Sequence, residues 1–411
     1  PIHADKFVCD GSYIKNGNPD MFVFINGDGV AGNGVLSGTA ATLEMGPVRI
    51  GDGSSTTTVT MYRNVTADAM EISAVSALGT GSGHDLTVVG DLLINGELTV
   101  SSQDTTINVS GNMTGTGQFS PGTGTVVFSG PGTSQISPLD GGTKTTFHNL
   151  VADKSSGSVE PLADLDVLGA LTVGAGSTLL VGSYTVTVSG PTTVQHTVSI
   201  GTGTLDCDGP FDASGGSIVF TAWGELRLGG DTITSLGTLD TSDGTVIYDR
   251  DGDQTVLADE YCSLEIEGAG VKTVGGSVIV NLTLSVSNGA HLTIPQGETV
   301  RARYVSVFGT LRMEAGAAAS SELDFSWYDT PSLNVAGTGK LVLVGYNSDR
   351  RCMLRGDSDS RVRFLIRGTL DAQYYAIHYP TVEGFELASG ATVTAMNDGY
   401  FDHPADNGCL L

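Results

Sequence analysis

The feature that most constrains this chain is a short alternating segment that keeps returning. Apolar and polar residues exchange places at every second position in pieces of four to seven residues, and each piece closes on Gly, Asn or Asp. Leu92-Leu93-Ile94-Asn95-Gly96, Glu97-Leu98-Thr99-Val100 and Thr106-Ile107-Asn108-Val109-Ser110-Gly111 follow one another. Leu171-Thr172-Val173, Thr178-Leu179-Leu180-Val181 and Tyr184-Thr185-Val186-Thr187-Val188 continue the pattern. Period two is the signature of a strand with one buried face, and helical periodicity is nearly absent. Thr and Val suit a pleated, half-buried surface. Glycine takes 58 of the 411 positions, roughly twice the usual share, and supplies the positive φ that tight corners need.

The strands repeat again at a larger scale. Gly124-Thr-Val-Val-Phe128 returns as Gly244-Thr-Val-Ile-Tyr248, and Thr133-Ser-Gln-Ile136 as Asp253-Gln-Thr-Val256. Phe147-His-Asn-Leu150 returns as Tyr261-Cys-Ser-Leu264, and the stretch from Leu165 to Val173 as that from Val278 to Val286. Within these units runs a shorter step, Gly-Thr-Leu, at Gly203, Gly237, Gly309 and Gly368, with Gly339-Lys-Leu as a variant. Nested repeats of short strands are what a stacked coil requires, because one coil cannot bury its inner face alone. At roughly 20 residues per coil, about 15–20 coils fit the chain. The expectation is an all-β fold, a β-solenoid with an N-terminal cap. Tandem antiparallel β-sandwiches are the alternative, disfavoured by the lack of two-residue hairpin turns.

The run from Gly122 to Gly190, with "GTGTVVFSGPGTSQIS", "FHNLVADKSSGSV" and "LDVLGALTVGAGSTLLVGSYTVTVSG", resembles the repeats of large secreted bacterial surface proteins. It is similar to autotransporter passengers and haemagglutinin-like adhesins. The resemblance covers roughly residues 80–315 and, more weakly, 330–400. It implies a right-handed parallel β-helix and a secreted or cell-surface setting, and brings no catalytic signature with it.

Three regions follow. Residues 1–80 are expected as a cap or docking segment, with Met21–Ile25 a strand and Asp68–Ala74 the nearest approach to a helix. Residues 81–315 are the solenoid body. Residues 316–411 form an Arg-rich and aromatic end or cap.

Charge narrows function. There are 45 acidic and 19 basic side chains, a net charge of −26, which repels nucleic-acid phosphate. No apolar run is long enough for a membrane-spanning helix. The charge is unevenly spread: nine of the 13 arginines lie between Arg301 and Arg367. Residues 1–300 carry −23 and residues 301–411 only −3. Arg350, Arg351, Arg355, Arg361, Arg363 and Arg367 are therefore candidates for meeting the acidic body of another copy. Neutralisation of Asp349, Asp357 and Asp359 is the plainer reading of these arginines, and binding an anionic polysaccharide a third.

Site signals are sparse. Asp249, Asp251 and Asp253 at alternate positions, with Glu260 eleven residues after the first, approach the spacing of a calcium loop. Gln254 stands where that loop has glycine, and the equivalent connection in the earlier copy, Ser129 to Thr133, has no acids. A solvated turn is the competing reading. Asn26–Gly29 and Gly51–Ser54 read as Asp/Gly turns, and Arg355-Gly356-Asp357 as a chance match to an attachment tripeptide. Five scattered cysteines form neither a metal motif nor a disulfide framework. They read as buried small hydrophobes, with Cys9 and Cys409 candidates for cross-linking termini or neighbouring chains. No cofactor is expected beyond a possible calcium ion. Starting at Pro1 without a leader, the chain is expected as a mature secreted product.

The expected function is a non-enzymatic structural or adhesive surface protein that self-associates into a fibre, coat or stalk. The alternative is a polysaccharide-binding or polysaccharide-cleaving β-helix of the tailspike or lyase type.

Overall fold

A computed structural model describes residues 41–54 and 56–403, together with the strands Ile2–His3, Phe7–Cys9, Phe22–Phe24 and Gly32–Gly38. Asn26–Gly29 and Cys409 lie outside the described residues. The fold is all-β, a parallel β-solenoid of the right-handed type with about 17 turns. Two compact units divide near residue 220.

In the first unit each coil lays down three short strands, one in each of three sheets. Strands pair in parallel with their equivalents one coil later: Leu86↔Ile107, Leu92↔Met113 and Leu98↔Phe119. These inward residues are buried to 2% exposure or less, so the alternation seen in the sequence becomes a continuous apolar core. The same coil already runs through Thr42–Met45, Thr57–Met61 and Asn64–Ala67, inside the segment expected as a cap.

Asp68–Ala74 forms no helix, and the described residues contain none. Met70–Ile72 is a strand with both ends buried and Glu71 outward, where Arg49 of the preceding coil meets it at 2.8 Å. Period two on a stack of parallel coils overrides weak helix propensity.

The corners account for much of the acidic composition. Where the chain leaves a sheet, an outward Asp or Asn accepts the backbone N–H of the equivalent position one coil later. Asp85 N donates to Asn64 Oδ1 at 3.0 Å, and Thr106 N to Asp85 Oδ1 at 2.8 Å. A second column joins Asn112 N to Asp91 Oδ1 and Gln135 N to Asn112 Oδ1, at 2.7 and 2.9 Å. Each bond gives a corner amide an acceptor on the neighbouring coil, part-buried in the first column and exposed in the second. Glycine does related work: Gly81 has φ +65°, and a Cβ there would sit 2.1 Å from the Met61 carbonyl oxygen.

The long repeat is a structural duplication with one register. Thr125 pairs with Asn149 and Val126 with Leu150; in the second unit Thr245 pairs with Ser263 and Val246 with Leu264. Each copy also closes the connection after its Gly-Thr-Val strand with a buried ammonium. Lys154 Nζ donates to Ser129 O, Ser110 O and Ser134 Oγ, and Lys272 Nζ to Arg250 O and Ala269 O. Burial pushes both lysine pKa values down.

One coordinated difference separates the copies. Phe128 and Phe147 of the first become Tyr248 and Tyr261 of the second, fully buried, with hydroxyls 3.1 Å apart. The hydroxyls serve a connection too short to close itself. Leu257 N donates to Tyr248 Oη, and Tyr261 Oη donates to Leu257 O. In the first copy Thr145 does this, accepting from Leu139 N and donating to Ser137 O.

Replacing Tyr248 by Phe is expected to cost about 1–2 kcal/mol and to speed exchange of the Leu257 amide. An unchanged melt and exchange rate would contradict this role. Burial pushes the Tyr248 phenol up to about 12. A raised folded pKa contributes stability that is complete below the unfolded value of about 10 and is lost as pH rises through 12.

Candidate functional site

The second unit builds its coils differently. Val278–Val286 and Thr299–Val307 are single long strands, and each carries the pairings of two shorter ones. Thr299–Val307 pairs first with Ser321–Asp324 and then with Ser332–Val335. The chain between those two strands, Phe325 to Pro331, must leave the sheet and come back.

That excursion is anchored from beneath. Phe325 is fully buried against Phe364, ring centroids 6.2 Å apart, and Phe364 against Phe385 at 5.9 Å. Ser326 donates its N–H and its hydroxyl to Asp324 Oδ1, at 2.9 and 2.6 Å. Tyr328 Oη reaches the Val280 carbonyl at 3.3 Å. Between these anchors Trp327 stands out of the surface with 72% of its area exposed, the most open large apolar side chain among the described residues.

Beside Trp327 lies a groove of about 270 Å³ lined by Thr299, Arg301, Glu322, Asp324, Arg355 and the Ser277–Ile279 segment. Register aligns its charges in a column, Arg301 opposite Asp324 and Asp324 opposite Arg355. Arg301 Nε meets Asp324 Oδ2 at 3.0 Å, and Arg355 Nη1 meets Glu322 Oε1 at 3.2 Å. The Arg301 guanidinium also lies 4.6 Å from the Trp327 ring centroid, a cation–π distance. Both carboxylates are thus committed to guanidinium partners, an arrangement suited to holding a ligand rather than to moving a proton. A second groove, of about 540 Å³, lies where the excursion rejoins the sheet, lined by Thr330–Ser332, Asp359, Arg361 and Arg363.

The residues singled out from sequence fall in several places. Asp249 Oδ2 accepts from Arg227 Nε at 3.0 Å, while its Oδ1 is buried with no hydrogen-bond partner. Burial pushes the Asp249 carboxyl pKa up, against the pull of Arg227. Asp251 Oδ1 accepts from Ala269 N and Asp253 Oδ1 from Val271 N, the same coil-to-coil caps seen in the first unit. Glu260 Oε1 accepts from Asn281 Nδ2 at 2.9 Å. Among the described residues no three Asp, Glu, His or Cys side chains converge as a metal site.

Of the arginines, Arg355 and Arg363 face Glu322 and Glu386. Arg350, Arg351 and Arg361 give hydrogen bonds to main-chain carbonyls, and Arg367 to the Asn334 side-chain oxygen. Asp349 meets Arg350 through its main-chain carbonyl, and the Asp357 carboxylate accepts the N–H groups of Asp359 and Ser360. Cys207, Cys262 and Cys352 are buried. Cys9 ends the strand Phe7–Cys9.

The residues that sequence reading did not single out as a site are Trp327, Asp324 and Glu322. The one signal was the run Asp324-Phe-Ser-Trp-Tyr-Asp329, where aromatics interrupt the Gly-Thr-Leu grammar. No protein-family model, curated protein or solved structure matches the chain.

Proposed function

We propose that this is a non-enzymatic structural or adhesive protein of the extracellular surface, which associates with further copies of itself into a fibre, coat or stalk. The observation that carries the reading is how the polar chemistry is used. Acids at the corners cap the next coil, and several acids of the second unit, among them Asp249, Glu267, Asp324, Glu322 and Glu386, are paired with arginines. What remains over is charge of two kinds. Residues 1–300 carry −23. Against that, Arg350, Arg351, Arg361 and Arg367 bond to neutral oxygens and form no ion pair among the described residues. Such surfaces attract between copies, with a strength that salt controls.

Sedimentation velocity across protein concentration is the test. Larger species are expected at about 0.05 M salt and their dispersal near 1 M, where the screening length falls to about 3 Å. A single species, unchanged by concentration and salt, overturns the reading.

A further inference from the structure

We infer that the groove beside Trp327 binds an uncharged saccharide chain, with Trp327 as the stacking platform. The inference rests on the adhesive reading above and names the ligand of its contact face.

Three observations lead there. First, Trp327 is exposed by construction. Phe325 below it and Ser326 and Tyr328 beside it are all anchored, so the chain that carries the indole is tied down on both sides, and Arg301 lies 4.6 Å from the ring centroid. A tryptophan left in water at 72% exposure forgoes the burial its surface favours, and an apolar face of matching size recovers it. The C–H face of a pyranose ring is flat, apolar and of that size.

Second, Arg301, whose guanidinium lies 4.6 Å from the Trp327 ring centroid, is also a wall of a groove that presents both donors and acceptors. Arg301 and Arg355 offer N–H groups, while Glu322, Asp324 and Thr299 offer oxygens, all pinned by the parallel register. Sugar hydroxyls both donate and accept, so a mixed set meets them where a set of one kind does not. The volume of about 270 Å³ is enough for one ring-sized group.

Third, the charges cancel. Arg301 with Asp324 and Arg355 with Glu322 leave the groove neutral. An anionic or cationic ligand would have to break an ion pair to find its partner, whereas hydroxyls hydrogen-bond to the pairs as they stand. The net charge of −26 further disfavours polyanions.

Only two tryptophans occur, Trp223 and Trp327, so the Trp223→Phe variant makes Trp327 fluorescence a direct reporter. The probes are maltohexaose, cellohexaose, laminarihexaose, mannohexaose, xylohexaose and chitohexaose, with hexagalacturonate as the charged arm. At least one neutral hexasaccharide is expected to change Trp327 emission saturably. In calorimetry with Trp223 in place, Trp327→Ala should weaken that binding about tenfold or more without lowering the melting temperature. No binding by any neutral probe, binding of hexagalacturonate alone, or affinity unchanged in Trp327→Ala overturns the inference. Sedimentation of Trp327→Ala separates the two ideas. If it self-associates as the parent does while no probe binds, the groove fails and the assembly reading stands.

Discussion

Valine in place of Gly190 is expected to separate two coils and to cost about 4 kcal/mol or more, the far end of single-residue effects. Gly190 stands directly on Gly169 and beneath Gly209. A Cβ at Gly190 would meet the Gly169 carbonyl oxygen at 2.4 Å and its carbon at 2.6 Å, and a Cβ at Gly209 would meet the Gly190 oxygen at 2.2 Å. The obstacle is main chain, which cannot rotate away as a side chain can. Gly190 N also donates to Gly169 O at 3.1 Å, so the coils must stay close for the bond to exist. Alanine already carries the offending atom, so Gly190→Ala should lose most of what valine loses. Gly337, with nothing within 4 Å of its Cβ position, is the control, and its alanine variant should fall within about 0.5 kcal/mol of the parent.

A stack of coils is held by nearest-neighbour contacts, so the damage should be local. Hydrogen exchange is expected to speed in Leu171–Val173 and Thr192–Val194, which pair across this contact, and to hold in Leu86–Val88. A Gly190→Val protein with parental exchange throughout contradicts the packing described.

The second large effect is expected at Arg227. Its guanidinium sits among three carboxylates: Nε meets Asp249 at 3.0 Å, Nη1 meets Glu225 at 3.4 Å, and Nη2 meets Glu267. Burial disfavours this cation, yet the Glu267 hydrogen bond and neighbouring acids hold its pKa above the ordinary value. Removing it strands Asp249, whose side chain is only 17% exposed and whose second oxygen already lacks a partner. Breaking a buried pair costs about 3–5 kcal/mol. With a quarter of Arg227 exposed, solvent screens part of this, and about 2–3 kcal/mol is expected for Arg227→Met.

The pH dependence identifies the cause. The folded pKa of Asp249 is already raised by burial, so its contribution is fully present below the unfolded value of about 3.9. That contribution is lost as pH rises through the folded pKa. Without Arg227 the rise is greater, and the defect should be largest near pH 7 and shrink toward pH 4. Adding Asp249→Asn should restore at least about 1 kcal/mol. A defect equal at both pH values, unrelieved by Asp249→Asn, would point to lost packing and contradict the electrostatic account.

Much of this fold is legible in the sequence because period-two alternation and corner glycines act locally. Leu92, Ile94 and Leu98 can be assigned inward from neighbours two positions away. Preference for a solenoid over sandwiches came from the repeating Gly-Thr-Leu step and the missing hairpin turns. The exception is Asp68–Ala74, where Ala69, Met70 and Glu71 favour a helix locally. There the partner that decides the matter, the strand Val48–Ile50 on the preceding coil, lies 22 residues away from the residues it pairs with.

The site is harder to read for the same reason. Arg301, Asp324 and Arg355 form a column only once the register is known, since they lie 23 and 31 residues apart in the chain. The clustered arginines find partners that the sequence does not pair with them: Glu322 for Arg355, Glu386 for Arg363 and Asn334 for Arg367 lie on other coils. The acids at 249, 251 and 253 look like a ligand loop in one dimension. In three, Asp251 and Asp253 cap amides 18 residues ahead, and Asp249 answers Arg227 on the coil before.

Electron microscopy of the purified protein is the decisive test of the proposed self-association. Regular assemblies of repeated copies at low salt, dispersing as salt is raised, are the predicted result. Single particles at every concentration and salt would contradict it.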